Sequence, residues 1–578
     1  MKNDGLPATE QEQARFFAQL REGFAAASAR TGEIIRDFRI AGTFFRLRFA
    51  GEALTSAIVP GLAGLLPTLA AQVQCEICLW DSESTGVPLV HTPRPWRDFT
   101  ERGNIWGFNS SRYRSAYLWG EGSVNVLDRE TRQAVYWVPS ANKLPAWVLS
   151  SPLRSILHWW MELNGRQLVH AAAVGQGGRG VLIPGRGGAG KSSTSLACLQ
   201  AGMDFVADDY LALALDPEPR AYRLYSTAKL DPRSLHLFPE LQTRCRAMHR
   251  PGFDKVVLFL EDGYGEQLKD SLLLELVLKP RISGLTETTL APVEAREVER
   301  ALASETLLHL PHAGVQTVEI LDRISREIPR AAIHLGTDRL RIAAAIQEAL
   351  DAPIAFDARF RPAADRRPFL SVITHFREEN RDDLGALVSM LQAQGYPRTE
   401  LIVTAEGKAR AMAGAHAAFP GSIRFLPFND PVVNAEAWNR AIRESFSELL
   451  IFIEPGDRFP PGALGTLADA AQRESDASWV RGKVVSAGSL NESLYPLRGA
   501  LIRKSAFREC GLFQTDPLFQ GREHYDWLKR VEQSGLIGRQ LDSVTLHASC
   551  APANPLPNKI DWGFLRAQLD RQRRKPLE

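Results

Sequence analysis

Gly185-Arg186-Gly187-Gly188-Ala189-Gly190-Lys191-Ser192 matches G-x-x-x-x-G-K-[ST] at every position. The residue types explain the chemistry expected of it. Glycines let the backbone close around phosphate oxygens with its N–H groups pointing inward. A helix beginning after Gly190 adds the positive end of its dipole. Lys191 is then placed to reach the β- and γ-phosphates, and the Ser192 hydroxyl to ligate Mg2+. Gly185, Gly187, Gly188, Ala189, Gly190, Lys191, Ser192 and Ser193 are the expected contacts to ATP, with Mg2+ as its counter-ion. A chance Gly-rich turn is the plain alternative, and the flanking strand and helix argue against it.

A second chemical element follows. Phe205-Val206-Ala207-Asp208-Asp209-Tyr210 reads as an apolar strand running into two carboxylates. Successive side chains of a strand point to opposite faces, so one carboxylate at most faces the phosphates unless the strand has ended. One carboxylate suits Mg2+, with Asp208 the candidate, and the other accepts a proton from an attacking hydroxyl. Asp is also a turn residue, so the pair alone is equally a strand end. The glycine loop one helix upstream favours the chemical reading.

These side chains need a frame, and the chain is long enough to build one. At roughly 150 residues per domain, 578 residues predict about four domains, or two or three larger ones. Hydrophobic residues at 44% and charged residues at 24% exclude a wholly disordered, collagen-like or disulfide-scaffold chain. Lys+Arg of 69 against Asp+Glu of 67 leaves a net charge of +2, so a large basic nucleic-acid surface is not implied. Cys75 and Cys78 form a C-x-x-C with no second ligand pair after it, and read as buried strand thiols in a reducing compartment. The N-terminus has no apolar signal core, and the apolar stretch 57–73 is broken by Pro60, Gly61, Gly64 and Pro67. A soluble cytoplasmic protein is expected, since a membrane span needs about 20 mostly apolar residues.

Residues 1–30 read as a helical or flexible leader, and 31–160 as a mixed α+β region. Phe45-Arg46-Leu47-Arg48-Phe49 alternates with period two, and Ala134 to Val138 is a short apolar run stopped by Pro139. From 161 to 351 strand, loop and helix follow one another around the glycine loop. The Pro- and Arg-rich stretch 352–367 reads as a linker. A fresh β/α alternation over 368–552 predicts a mainly parallel sheet with helices on both faces. A basic tail, 553–578, closes the chain.

Leu168-Val169-His170-Ala171-Ala172-Ala173-Val174, the loop Gly185 to Ser192 and Gly202-Met203-Asp204-Phe205-Val206-Ala207-Asp208-Asp209 together resemble the kinase domain of HPr kinase/phosphorylase. The resemblance covers roughly 165–350 and includes Leu278-Lys279-Pro280-Arg281-Ile282-Ser283-Gly284. It implies a fold like phosphoenolpyruvate carboxykinase. His170 then matches the family's active-site His, Lys191 and Ser192 the phosphate and Mg2+ ligands, and Asp208 and Asp209 the acidic pair that includes the general base. The family's HPr-recognition segment has no copy here, so HPr is not the expected acceptor.

The second half resembles an inverting family 2 glycosyltransferase over about 367–550. The resemblance rests on Ser371-Val372-Ile373-Thr374, on Tyr396-Pro397-Arg398-Thr399-Glu400-Leu401-Ile402-Val403, on Asn439 in its helix, on Glu448 to Pro460, and on Arg522 to Arg530. It implies a GT-A (Rossmann-like) fold and a nucleotide-sugar donor with Mn2+ or Mg2+. A cation held by carboxylates offsets the donor's diphosphate, and a base deprotonates the acceptor. The acidic positions are altered: Ala405-Glu406 replaces the nucleotide-contact pair, Glu454-Pro455-Gly456 stands at the D-x-D, and His524 occupies the base position. Glu406 remains for the nucleotide, Glu454 and Asp457 for the metal, and Glu523, His524 or Asp526 for the proton.

The expectation is therefore an α/β multidomain transferase, an ATP-dependent kinase of hydroxyls joined to a glycosyltransferase, acting on an unidentified protein, peptide or glycan. The alternative is an ATP-switched binding protein whose altered glycosyltransferase domain recognises a glycan or sugar nucleotide without turnover.

Overall fold

The structure is a computed structural model. It describes residues 7–549 except 67–71, 90–91, 95–97, 249–254, 352–366, 378–382, 397, 407–421, 429, 487–488, 491–496, 517–518 and 520–522. Nearly all of the linker and the whole basic tail expected from sequence lie outside the described residues. The chain divides into two compact units, Ala8–Ala364 and Asp365–Glu578. The former unites the leader, the mixed region and the glycine-loop region.

The unit begins with the helix Glu10–Thr31, started by a reciprocal cap in which Glu12 N–H donates to Thr9 Oγ1 and Thr9 N–H to Glu12 Oε2. Phe16, Phe17, Leu20, Phe24 and Ala27 recur at helical spacing and are buried with Trp80, Val126 and Val135 of the sheet behind them. That sheet has six strands, in the order Glu33–Ile40, Thr43–Ala50, Cys75–Asp81, Gln133–Val138, Ser123–Asp128, Tyr113–Leu118. The alternation read in Phe45 to Phe49 follows the period of the pleat: the phenylalanines and Leu47 are buried, while Arg46 pairs with Asp37 and Arg48 with Glu33 across the strands. Cys75 and Cys78 are buried free thiols, and burial pushes Cys78 up to about 12.

The second sheet of this unit runs Arg220–Arg223, Tyr210–Ala214, Gln167–Gln176, Arg179–Pro184, Ser271–Ile282, Arg330–Leu335, Thr289–Ala291, with Asp204–Ala207 also on Gln167–Gln176. Alternate residues feed opposite cores. Ala172, Val174 and Ile183 pack with the helices Lys191–Gln200 and Arg339–Asp351, whereas Ala171, Ala173 and Leu182 pack with Ala295–His309 and Val315–Glu327. A small sheet of Thr227–Leu230, Val256–Phe259 and Arg246–Met248 stands beside it.

In the unit Asp365–Glu578, Ser422–Phe428, Thr399–Glu406, Leu370–Phe376 and Leu449–Phe452 form a parallel run. Leu501–Arg503 adds to Leu449–Phe452 antiparallel, and the sheet continues through Ala477–Ser486 to Ile537–Ala548. The sheet is thus mixed, with its parallel part where the β/α alternation was read.

Candidate functional site

The strand Arg179–Pro184 delivers the chain to the glycine loop, and the helix Lys191–Gln200 leaves it. Two glycines are needed for the shape. Gly190 sits at φ 98°, and a Cβ there would lie 2.4 Å from Leu335 Cδ1; Gly188 sits at φ 81°. Lys191 is buried and folds back on the loop, donating to Gly185 O at 2.5 Å and Arg186 O at 3.3 Å. Burial pulls the Lys191 ammonium below its usual range, opposed by Asp209 and Asp208.

The strand Asp204–Ala207 ends before the carboxylates, and Tyr210–Ala214 starts after them. The alternation constraint therefore lapses, and Asp208 and Asp209 part company by their partners. Asp208 turns to the helix: Ser195 Oγ donates to its Oδ1 at 3.1 Å and Lys229 N–H to its Oδ2 at 2.8 Å. Burial and the neighbouring Asp209 raise the Asp208 carboxyl, against the pull of the Lys229 N–H and the Ser192 hydroxyl. Asp209 turns to two bases. Its Oδ1 lies 2.8 Å from His170 Nε2 and its Oδ2 2.5 Å from Lys229 Nζ. Burial would lift this carboxyl, but Lys229 and His170 outweigh it and hold it well below the usual range.

His170 reaches the pair through strand register: Tyr210 of Tyr210–Ala214 lies opposite His170 of Gln167–Gln176. Burial lowers the imidazole, and Asp209 restores only part. With Nε2 facing a carboxylate, that nitrogen carries the proton, and Nδ1 presents a lone pair. The structure thus gathers His170, Asp208, Asp209, Lys191 and Ser192 at one strand end. Sequence reading missed Lys229 and Ser195. The available signals were a lone Lys in the strand Thr227–Leu230 and a Ser one helical turn beyond Ser192.

In the other unit, Glu406 ends the strand Thr399–Glu406, accepting from Val432 N–H at 3.1 Å with His375 Nε2 at 3.4 Å. Asp457 is fully buried and gripped by Arg498, whose Nε donates to Oδ2 at 2.8 Å and whose Nη2 bonds Oδ1. Ser549 N–H adds a bond to Oδ1 at 3.0 Å, and Glu454 N–H one to Oδ2 at 2.9 Å. Those bonds occupy the carboxylate's acceptor positions. Glu454 sits beside this pair, its carboxyl raised by burial, with Arg498 opposing. His524 packs against Trp438, at 4.8 Å centroid separation, and Phe513, at 5.4 Å, two rings that also touch each other at 5.6 Å. Burial, helped by Arg498, lowers it to about 4. Glu523 is buried near Glu454. Asp526 is buried against Arg530, at 2.9 Å, and Asn439 clamps Phe513 through both of its backbone groups.

Among the described residues no group of three or more His, Cys, Asp or Glu side chains could hold a metal ion. Ser192 with Asp208, and Glu454 with Asp457, are each too few to cage a cation, so one bound at either would draw further ligands from a phosphate. Among the described residues no helix is long and apolar enough to cross a membrane.

No family model and no curated protein matches the chain. Among solved structures, the mannosyltransferase PcManGT from Pyrobaculum calidifontis, in complex with GDP-Man and Mn2+, is similar over 37% of this chain and 67% of that one, at 16% identity. The TM-score is 0.27, a level at which the likeness assigns neither fold nor activity.

Proposed function

We propose that the unit Ala8–Ala364 transfers the γ-phosphoryl group of ATP to a hydroxyl. The observation that carries this reading is the division of labour beside the glycine loop, with Asp208 on the Ser192 side and the chain His170–Asp209–Lys229 on the other. The acceptor hydroxyl gives its proton to His170 Nδ1. Asp209, held ionised by Lys229, orients the ring and stabilises the imidazolium. Phosphate binding draws Lys191 away from Gly185 O and Arg186 O onto the β- and γ-oxygens, and the loop N–H groups face the same charge. Mg2+, held by Ser192 with Asp208 behind it, would supply charge neutralisation on those oxygens.

For the unit Asp365–Glu578 we infer a nucleotide-sugar-binding role without turnover. The reading is supported by Asp457 being occupied by Arg498, Asp526 by Arg530, and His524 packed into a cluster with Trp438 and Phe513. Glu454 and Glu406 are the groups we assign to a ligand.

Calorimetry with ATP and Mg2+ tests the first reading, with binding expected for the native chain and lost in Lys191→Ala. Incubation with γ-labelled ATP should label an acceptor in lysate, and His170→Gln should cut labelling at least 100-fold while ATP still binds. A chain that ignores ATP overturns the proposal. For the second unit, a panel of UDP- and GDP-sugars with Mn2+ should bind without hydrolysis or transfer; turnover would reverse that assignment.

A further inference from the structure

Arg154 is a charged side chain whose hydrogen-bonding groups the fold leaves mostly unused. It opens the helix Arg154–Leu163, directly after Leu153 in left-handed backbone at φ 57°. Its guanidinium lies 5.0 Å from the Tyr210 ring centroid, and its one hydrogen bond among the described residues is a long one, Nη1 to Tyr210 Oη at 3.4 Å. Among the described residues it forms no ion pair, and its buried Nε has no partner. The part-buried Glu121 accepts from Ser123 Oγ and Tyr136 Oη at 3.0 Å each, and Arg154 acts on it only through space, pulling its carboxyl down against burial. The Tyr225 hydroxyl is also buried without a hydrogen-bond partner among the described residues. After burial, the strongest influence on it is Arg154.

Tyr210 ties this corner to the site described above. Its ring is 5.1 Å from that of His170, and His170 Nδ1 is another buried atom lacking a partner among the described residues. Buried donors normally find acceptors, and Arg154 Nε is a buried donor on a part-buried cation whose nearby carboxylates, Glu121 and Asp209, act on it without pairing. Arg154 Nε and His170 Nδ1 are thus a donor and a base on either side of one aromatic ring, and Tyr225 Oη is a second unpartnered donor in the electrostatic reach of Arg154 and Tyr210. Their natural complement is a molecule with an anion at one end and a hydroxyl at the other.

We propose that Arg154 and Tyr225 receive the carboxylate of the phosphoryl acceptor, which is a small hydroxy-carboxylic or hydroxy-amino acid. A guanidinium fork and a phenol match the two oxygens of a carboxylate. Guanidinium and imidazole flank the same ring, so carboxylate and hydroxyl are a few bonds apart. The hydroxyl oxygen attacks the γ-phosphorus of ATP, the bond from that phosphorus to ADP breaks, and the hydroxyl proton passes to His170 Nδ1. The products are the phosphomonoester and ADP.

This inference rests on the phosphotransferase reading, and its test separates the two. The full chain with Mg2+ and ATP is offered L-serine, L-threonine or D-glycerate, and L-serinamide and glycerol, which lack the carboxylate. Product is followed by phosphorus NMR and ADP release. At least one carboxylate should be phosphorylated at least 100-fold more efficiently than its counterpart without a carboxylate. Arg154→Lys should raise its KM at least tenfold with ATP affinity unchanged. Tyr225→Phe removes a hydroxyl that holds nothing in the protein. It should raise KM about fivefold with the melting temperature unaltered. If ATP binds but no carboxylate probe is phosphorylated, or serine and serinamide react alike, the acceptor assignment is wrong and the ATP site stands. If ATP does not bind, both readings fall.

Discussion

Asp208 and Asp209 are adjacent in the chain and opposite in their electrostatics. Asp208 is raised mainly by burial and by its neighbour, while Asp209 is held low by Lys229 and His170. A metal-facing carboxylate must be ionised, so affinity for Mg2+ with ATP should weaken on acidification at a pH above the ordinary Asp value of about 3.9. Calorimetry between pH 4 and 8, on this chain and on Asp208→Asn, reads that dependence; the variant should bind weakly and lose it. Asp209 is shifted the other way, and its effect is on stability. A folded pKa below the unfolded one contributes stability above the unfolded value, and this is lost as pH falls through the folded one. Lys229→Met leaves a buried carboxylate with His170 alone and should cost about 3–5 kcal/mol in urea denaturation. Lys229→Met with Asp209→Asn should recover most of that loss, since no buried charge is then stranded.

At the scale of elements, the turn from the strand Arg179–Pro184 into the helix Lys191–Gln200 depends on Gly190. The left-handed conformation there costs a residue with a Cβ about 1–2 kcal/mol, and Leu335 Cδ1 occupies the space that atom would need. Gly190→Ala should lower the melting temperature and abolish ATP binding. Adding Leu335→Ala should return part of the stability and none of the binding, because the φ constraint on the loop remains. In the other unit the helix Glu523–Gln533 carries His524 into an aromatic cluster. With its pKa near 4 against an unfolded value of about 6.5, His524 is neutral from pH 5 to 8 in the fold. It subtracts stability progressively as pH falls below the unfolded value. Its proton NMR shift should be flat over pH 5–8, and His524→Phe should flatten the acid side of the stability profile.

At the scale of the whole molecule, two compact units, each with sheets and cores of its own, predict two melting transitions. ATP with Mg2+ at a hundredfold excess over Kd should add about 2.7 kcal/mol to one of them and nothing to the other. Differential scanning calorimetry of the full chain reads this directly. A nucleotide sugar with Mn2+ should move only the other transition. A single transition shifted by both ligands would contradict independent cores.

The sequence alone determined the parts that contiguous residues can encode. Gly185 to Ser192 spells a loop whose glycines and flanking apolar strand act locally, and the structure builds that strand, loop and helix at those positions. The alternation in Phe45 to Phe49 sets a buried and an open face because the pleat has the same period. Only the tertiary structure decided what each charge does. Strand register sets Tyr210 opposite His170, and a separate small sheet brings Lys229 to Asp209. Asp457 reads as a metal ligand until Arg498, 41 residues away, takes up its oxygens. Arg154 and Tyr225 carry no motif at all, and the role proposed for them comes from atoms left unpartnered among the described residues. Pairing energies between charges depend on burial and on partners distant in the chain, and neither is written in local spacing.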